Sequence, residues 1–173
     1  MANETKMIAF GLGPVPSRRL AQSLGINNIP AKICTYSCIY CQVERTLQMQ
    51  IKRKRFYNRE EILKEVEWKV KEAMAKGEPI DCLTFVPGGE PTLELNLVKE
   101  IQLLKGLGIK AAAISNASLI WKEDVQDDLN KTDWVSLKID AVSEDIWRRM
   151  NRDHGLLQLE KRSVKWIKKS KKM

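Results

Sequence analysis

The sequence predicts an α/β fold: a parallel sheet wound into a partial (βα) barrel. Three observations carry that expectation. Short apolar runs at residues 82–86, 109–115 and 134–140 are each bounded by turn residues, as buried strands are. Each is followed by a stretch with helical spacing of apolar residues. Strand and helix therefore alternate, which is the pattern of βαβ units with right-handed crossovers. About four such units can be counted, the first of them indistinct.

Residues 7–33 are punctuated by glycine and proline, so they read as turns with short extended pieces. The first barrel strand is expected near residues 24–29, or just before Cys34. Asn58 then caps a helix, with Glu61 three residues on in a capping-box-like start. Ile62, Leu63, Val66, Val70, Ala73 and Met74 form its apolar stripe. Gly77 ends it, with Pro79 just beyond. The strand at 82–86 runs into Pro87, which cannot continue it. The next helix carries Leu95, Val98, Ile101 and Leu104 on one face and stops at Gly106 or Gly108. The strand at 109–115 ends at Asn116, and residues 121–129 read as a short helix. Along 134–140 the alternation is strict: Val135, Leu137 and Ile139 face one way, Ser136, Lys138 and Asp140 the other. Ser143 caps a helix through Met150. A last amphipathic segment carries Leu156, Leu159, Val164 and Ile167. No internal repeat is evident.

Composition narrows the classes. The chain has 173 residues, of which 43% are hydrophobic, enough for one cored domain spanning 1–173. No apolar stretch approaches the roughly 20 residues that cross a bilayer, so no membrane partner is expected. The N-terminus lacks the pattern of a signal peptide. Clustered free thiols suit a reducing compartment, so a cytoplasmic location is expected. The formal net charge is +8, with seven basic and no acidic residues in the tail 161–173. A second basic run occupies 52–55. Such clusters suit phosphate backbones, so an RNA or another anionic substrate is one expectation; a solvated surface is the other.

The chemistry lies in Cys34, Cys38 and Cys41, spaced C-x-x-x-C-x-x-C. A loop with this spacing can turn all three sulfurs toward one centre. Thiolates are soft ligands and select zinc, Cu(I) or an iron–sulfur cluster. Structural zinc closes with four protein ligands, and only three are clustered here. Cys82 begins its strand, some 15 Å or more from the loop, and reads as core. His154 reads as polar surface, and the scattered tryptophans form no stacking platform. A second motif, Gly88, Gly89, Glu90, Pro91 and Thr92, follows a strand. Its two glycines permit close approach of backbone to a ligand. In parallel α/β folds sites gather at the carboxyl ends of strands. The cysteine loop, the 88–92 turn, Asn116, and Lys138 with Asp140 all fall at such ends. Inward-facing Lys138 and Asp140 need partners or water. Asn116 offers a donor and an acceptor to a bound nucleoside.

These two motifs, in this order, resemble the radical S-adenosylmethionine (SAM) enzymes. Tyr40 fills the aromatic place before the last cysteine, and 88–91 is similar to the family's GGEP motif. The resemblance covers residues 10 to about 159. It implies a [4Fe–4S] cluster on Cys34, Cys38 and Cys41, with one iron left for SAM. It implies SAM binding by Tyr40, Gly88, Gly89, Glu90, Pro91, Asn116, Lys138 and Asp140, with Glu90 meeting the SAM ammonium. It implies reductive cleavage of SAM to a 5′-deoxyadenosyl radical that abstracts hydrogen from substrate. A reductant protein such as a flavodoxin or ferredoxin follows as a partner. Ser17, Arg18 and Arg19 resemble a stretch of the branch grouped with archaeal wyosine-base synthases, which modify tRNA. Those enzymes carry three further cysteines; here only Cys82 remains, so the substrate stays open. The family's partial barrel has roughly six units, fewer than a full eightfold barrel. The domain is therefore expected to be incomplete at its C-terminal end, its fourth strand leaving an edge that the tail or a second chain covers. The alternative from another class is a zinc-bearing nucleic-acid-binding module that uses the basic runs.

Overall fold

The computed structural model describes residues 10–141, 143–153 and 155. His154, the amphipathic segment from 156 onward and the basic tail 161–173 lie outside the described residues. The elements are β1 (Gly11–Ser17), β2 (Ala21–Ile26), β3 (Ile33–Cys34), β4 (Gln48–Met49), α1 (Arg59–Ala75), β5 (Cys82–Phe85), a 3₁₀ turn (Pro91–Leu93), α2 (Leu97–Lys105), β6 (Lys110–Ser115), α3 (Glu123–Leu129), β7 (Trp134–Leu137) and α4 (Glu144–Asn151).

Five strands form one sheet in the order β1-β2-β5-β6-β7. All neighbours are parallel except β1 and β2. The α/β class, the parallel sheet and the alternation are thus as read from the sequence, and the arrangement is that of a partial barrel. The first parallel strand is β2, which covers part of the expected 24–29. The glycine- and proline-rich segment before it is not mostly turn. It forms a hairpin, with β1 on the sheet's outer edge. Pro14 and Pro16 are tolerated there because an edge strand donates to one neighbour only.

Burial follows position in the sheet. The four residues of β5 are buried on both faces. Ala111, Ala112 and Ala113 of β6 are fully buried. Their small side chains let the flanking layers close on the strand. Leu97, Ile101 and Leu104 of α2 and Ile62, Val66 and Ala73 of α1 join the same core. Leu95 and Met74, assigned above to the buried stripes, are exposed. β7 differs: its residues are all half-buried and do not alternate. It is the last strand of the described sheet, with a neighbour on one side only. The expected inward face at Lys138 and Asp140 is therefore corrected: both lie past the end of β7 and are exposed.

α1 begins where the sequence reading puts it. The Asn58 side chain accepts from the Glu60 backbone N–H. Glu65, one turn further, accepts from the N–H groups of Phe10 and Gly11 at 2.8 and 3.0 Å, which ties α1 to the start of β1.

Candidate active site

The cysteine loop hangs from a two-stranded ribbon. β3 and β4 pair in parallel, Ile33 opposite Gln48 and Cys34 opposite Met49. The pairing closes the chain between them into a loop, and Thr46 Oγ1 donates to the Tyr36 carbonyl across it at 2.6 Å. A tight turn follows, with the Cys41 N–H on the Cys38 carbonyl.

The loop's root crosses the double-glycine turn. The Lys32 N–H donates to Gly88 O at 2.7 Å, and the Glu90 N–H donates to Ile33 O. A Cβ on Gly89 would lie 1.8 Å from Ile33 O, and one on Gly88 would lie 3.2 Å from Ala31. The room these glycines leave is thus filled first by the protein's own chain. They fix the height of the cysteine loop above β5.

Cys34, Cys38, Cys41, Tyr40, Gly88, Gly89, Glu90, Asn116 and Lys138 all line one cavity of about 340 Å³. Two residues assigned to the site from the sequence do not line it. Pro91 is buried and opens the 3₁₀ turn. Asp140 accepts the Tyr40 hydroxyl instead. Cys82 is buried at the far end of β5, where Thr84 Oγ1 lies 3.7 Å from its sulfur, as core.

Glu90 is 1% exposed, and burial pushes its carboxyl upward. Its Oε1 accepts from Thr92 N, Thr92 Oγ1 and Ser115 Oγ, and its Oε2 from Asn116 N at 2.7 Å. The carboxylate therefore braces the β5 turn to the end of β6. It is already bonded to the protein through both oxygens. Asn116 is likewise engaged. Its Nδ2 donates to Thr35 Oγ1 at 2.9 Å and lies 3.6 Å from Cys34 Sγ, and its Oδ1 accepts from Ser118 N. The donor and acceptor expected for a nucleoside are turned to the cysteine loop and the chain.

The thiols differ in setting. Burial, and next the Glu90 carboxylate, push the Cys34 thiol up to about 12. Burial also raises Cys38. Cys41 is exposed. Among the described residues, no group of three or more His, Cys, Asp or Glu side chains converges as a single metal-ion site. Cys34, Cys38 and Cys41 all belong to the wall of the one cavity.

The basic run 52–55 is split by the fold. Arg53 is buried, bonded to Asp124 at 2.6 Å, to Asp128, and to the Glu94 carbonyl at 2.8 Å. It clamps the stretch before α1 to α3 and cannot reach a substrate. Lys54 lies over the Phe56 ring. Lys52 and Arg55 alone remain as exposed charges without those contacts.

One contact was not legible in the sequence. The last turn of α4 docks on the cysteine loop. Its Met150 and Asn151 carbonyls accept from the N–H groups of Ile39 and Ser37, each at 2.9 Å. Helix C-termini carry unpaired carbonyls, and here the loop satisfies them. The Asn151 side chain reaches Cys38 and Tyr40.

Comparison with known proteins agrees with this geometry. Over 154 residues the chain is 53% identical to the UPF0026 protein MJ1312 of Methanocaldococcus jannaschii, covering 89% of this chain and 47% of that protein. Over 158 residues it is 32% identical to a UPF0026 protein of Helicobacter pylori, covering 90% of this chain and 49% of the relative. The chain thus spans about half the length of these curated relatives. A solved structure of TYW1 with a lysine-pyruvate adduct shares the fold, with TM-score 0.52 and 19% identity over 76% of this chain and 46% of that one. No helix among the described residues is long and apolar enough to cross a membrane. Residues 28–172 match the radical SAM superfamily, and the chain belongs to that superfamily.

Proposed function

We propose that this chain carries the cluster- and SAM-binding part of a radical SAM enzyme, with Cys34, Cys38 and Cys41 as the ligands of a [4Fe–4S] cluster. The family implies SAM and an iron–sulfur cluster. The observation that supports the ligand assignment is that all three thiols line one cavity with the Gly88–Gly89 turn. Three thiolates leave one iron of a four-iron cluster for a ligand that is not protein. The chemistry supplied by the bound pair is one-electron cleavage of the sulfonium, giving a 5′-deoxyadenosyl radical that takes hydrogen from substrate.

The chain's own part is binding, orientation and exclusion of water. Gly88 and Gly89 carry no side chain, so what they present to the cavity is backbone. Tyr40 and the exposed Lys138 stand on its wall. Lys138 suits an anionic group, either the SAM carboxylate or a phosphate of substrate. Glu90 and Asn116 hold the walls in register rather than standing free. A one-electron donor protein, a flavodoxin or ferredoxin, completes the reaction. The substrate class we favour is RNA or a nucleoside, with Lys52 and Arg55 as the exposed cations of the basic run that follows the loop. The zinc-module reading has a weaker footing, since residues 28–172 match the radical SAM superfamily.

Anaerobic loading with iron and sulfide tests the assignment. The loaded protein should be brown, bleach with dithionite, and form 5′-deoxyadenosine from SAM once reduced. Cys38→Ala should lose most of the bound iron, while Cys82→Ala should keep the wild-type iron content. Equal iron loss in the two variants would sink the ligand assignment.

A further inference from the structure

Two carboxamides reach two of the cysteine sulfurs. Asn116, at the end of β6, lies 3.6 Å from Cys34 Sγ through its Nδ2. Asn151, at the end of α4, lies 3.1 Å from Cys38 Sγ through its Oδ1. Asn151 is fully buried. Its one side chain makes three contacts: Cys38 Sγ, the Tyr40 hydroxyl at 3.2 Å, and the Trp147 carbonyl, to which Nδ2 donates at 3.2 Å. The backbone of the same residue accepts from Ser37. Thus α4 grips the loop on both sides of Cys38, through Ser37 and Ile39, and the sulfur between them through the side chain.

We propose that Asn151 is a positioning residue for Cys38: from the end of α4 its side chain holds this sulfur in place within the loop that its backbone also grips. This rests on the cluster reading above. The physical reason is a locked carboxamide. Its Nδ2 donates to the Trp147 carbonyl, which fixes Oδ1 toward Cys38 and the Tyr40 hydroxyl, both of which donate to it. Tyr40 follows, because its hydroxyl is shared between Asn151 and Asp140. Hydrogen bonds to cluster sulfurs make reduction easier, and second-sphere partners of this kind tune metal sites. Cys41 is exposed, whereas Cys34 and Cys38 are half-buried.

The test has one arm without metal and one with it. In metal-free wild-type protein, iodoacetamide alkylation read by peptide mass spectrometry should modify Cys41 first. Asn151→Ala should speed alkylation of Cys38 severalfold and leave Cys34 unchanged relative to Cys41. Asn151→Asp, nearly the same shape, keeps the acceptor but adds negative charge, and should slow Cys38 below wild type. In the iron-loaded protein, Asn151→Asp should move the cluster midpoint to more negative values, because it sets a negative charge beside Cys38. A purely structural role at the helix end would change melting but neither the Cys38-specific rate nor the midpoint. Unchanged Cys38 alkylation in both folded variants would overturn the proposal. A wild-type chain that takes up no iron would instead remove the cluster reading, while the alkylation arm would still decide whether Asn151 holds Cys38.

Discussion

Glu90 and Glu100 are both buried carboxyl groups, each 1% exposed, and burial raises both. They are held in opposite ways. Glu90 accepts four hydrogen bonds, from Thr92, Ser115 and Asn116, and these work against burial by favouring the charged form. Glu100, on the inner face of α2, accepts one, from Asn28 Nδ2 at 3.1 Å. Its Oε1 and the Asn28 Oδ1 have no partner. Burial, and next the negative Glu94, push the Glu100 carboxyl up to about 8. A buried carboxylate surrounded by donors is a brace; one facing a single donor and a like charge holds its proton near neutral pH. The two sites differ in donors, not in depth.

The largest effect is expected at the brace. Glu90→Ala leaves the Thr92 and Ser115 hydroxyls and the Asn116 N–H without an acceptor at the cavity wall. Removing one side of a buried charged network costs about 3–5 kcal/mol. Urea unfolding should show that loss, and the iron-loaded variant should bind SAM more weakly. Calorimetric SAM titration of the loaded variant checks the second point. A loss below about 1 kcal/mol, the value of one neutral hydrogen bond, would mean the four contacts are not coupled.

Glu100 should show itself through pH. Its folded pKa is about 8 against an ordinary value of 4.5. The folded state therefore keeps a proton that the unfolded chain gives up. The group's stabilising contribution is full below about 4.5 and fades as pH rises through 8. Glu100→Gln removes the titration and supplies an amide donor for the orphaned Asn28 Oδ1. Melting temperature against pH should flatten between 5 and 9 (roughly the window the two values set), and the variant should exceed wild type at the alkaline end by on the order of a few kcal/mol. An unchanged slope would place the proton elsewhere.

How much of this was legible in the sequence depends on distance along the chain. The strand–helix alternation and the two motifs are local patterns, and β5, β6 and α1 lie where periodicity puts them. The hairpin of β1 and β2 was hidden because proline argues against strand, except on an edge. Arg53 looked like part of a charged surface because its partners, Asp124 and Asp128, are on α3. Asn151 carries no motif at all, yet it reaches Cys38 across 113 positions of sequence. Glu90 was found as a motif residue, but its role as a brace depends on Ser115 and Asn116, which only the pairing of β5 with β6 brings alongside. Glu100 sits at a helix position that charge alone assigns to solvent, and no sequence signal marks it as buried.

The smallest and sharpest separation of the two carboxylates comes from Thr92→Val. The substitution is nearly isosteric and deletes one donor, the hydroxyl 2.6 Å from Glu90 Oε1. Oε1 keeps the Thr92 N–H and Ser115 Oγ, so the carboxyl group stays hydrogen-bonded. A hydrogen bond to a charged acceptor is worth about 1.5–3 kcal/mol, and the remaining donors should hold the measured loss near the lower figure. Glu90 retains three donors, so the loss should stay well below that of Glu90→Ala in the same urea titration. A loss as large as that of Glu90→Ala would show that one hydroxyl carries the network, and the distinction between a satisfied and a starved carboxyl group would fail at the residue on which it depends.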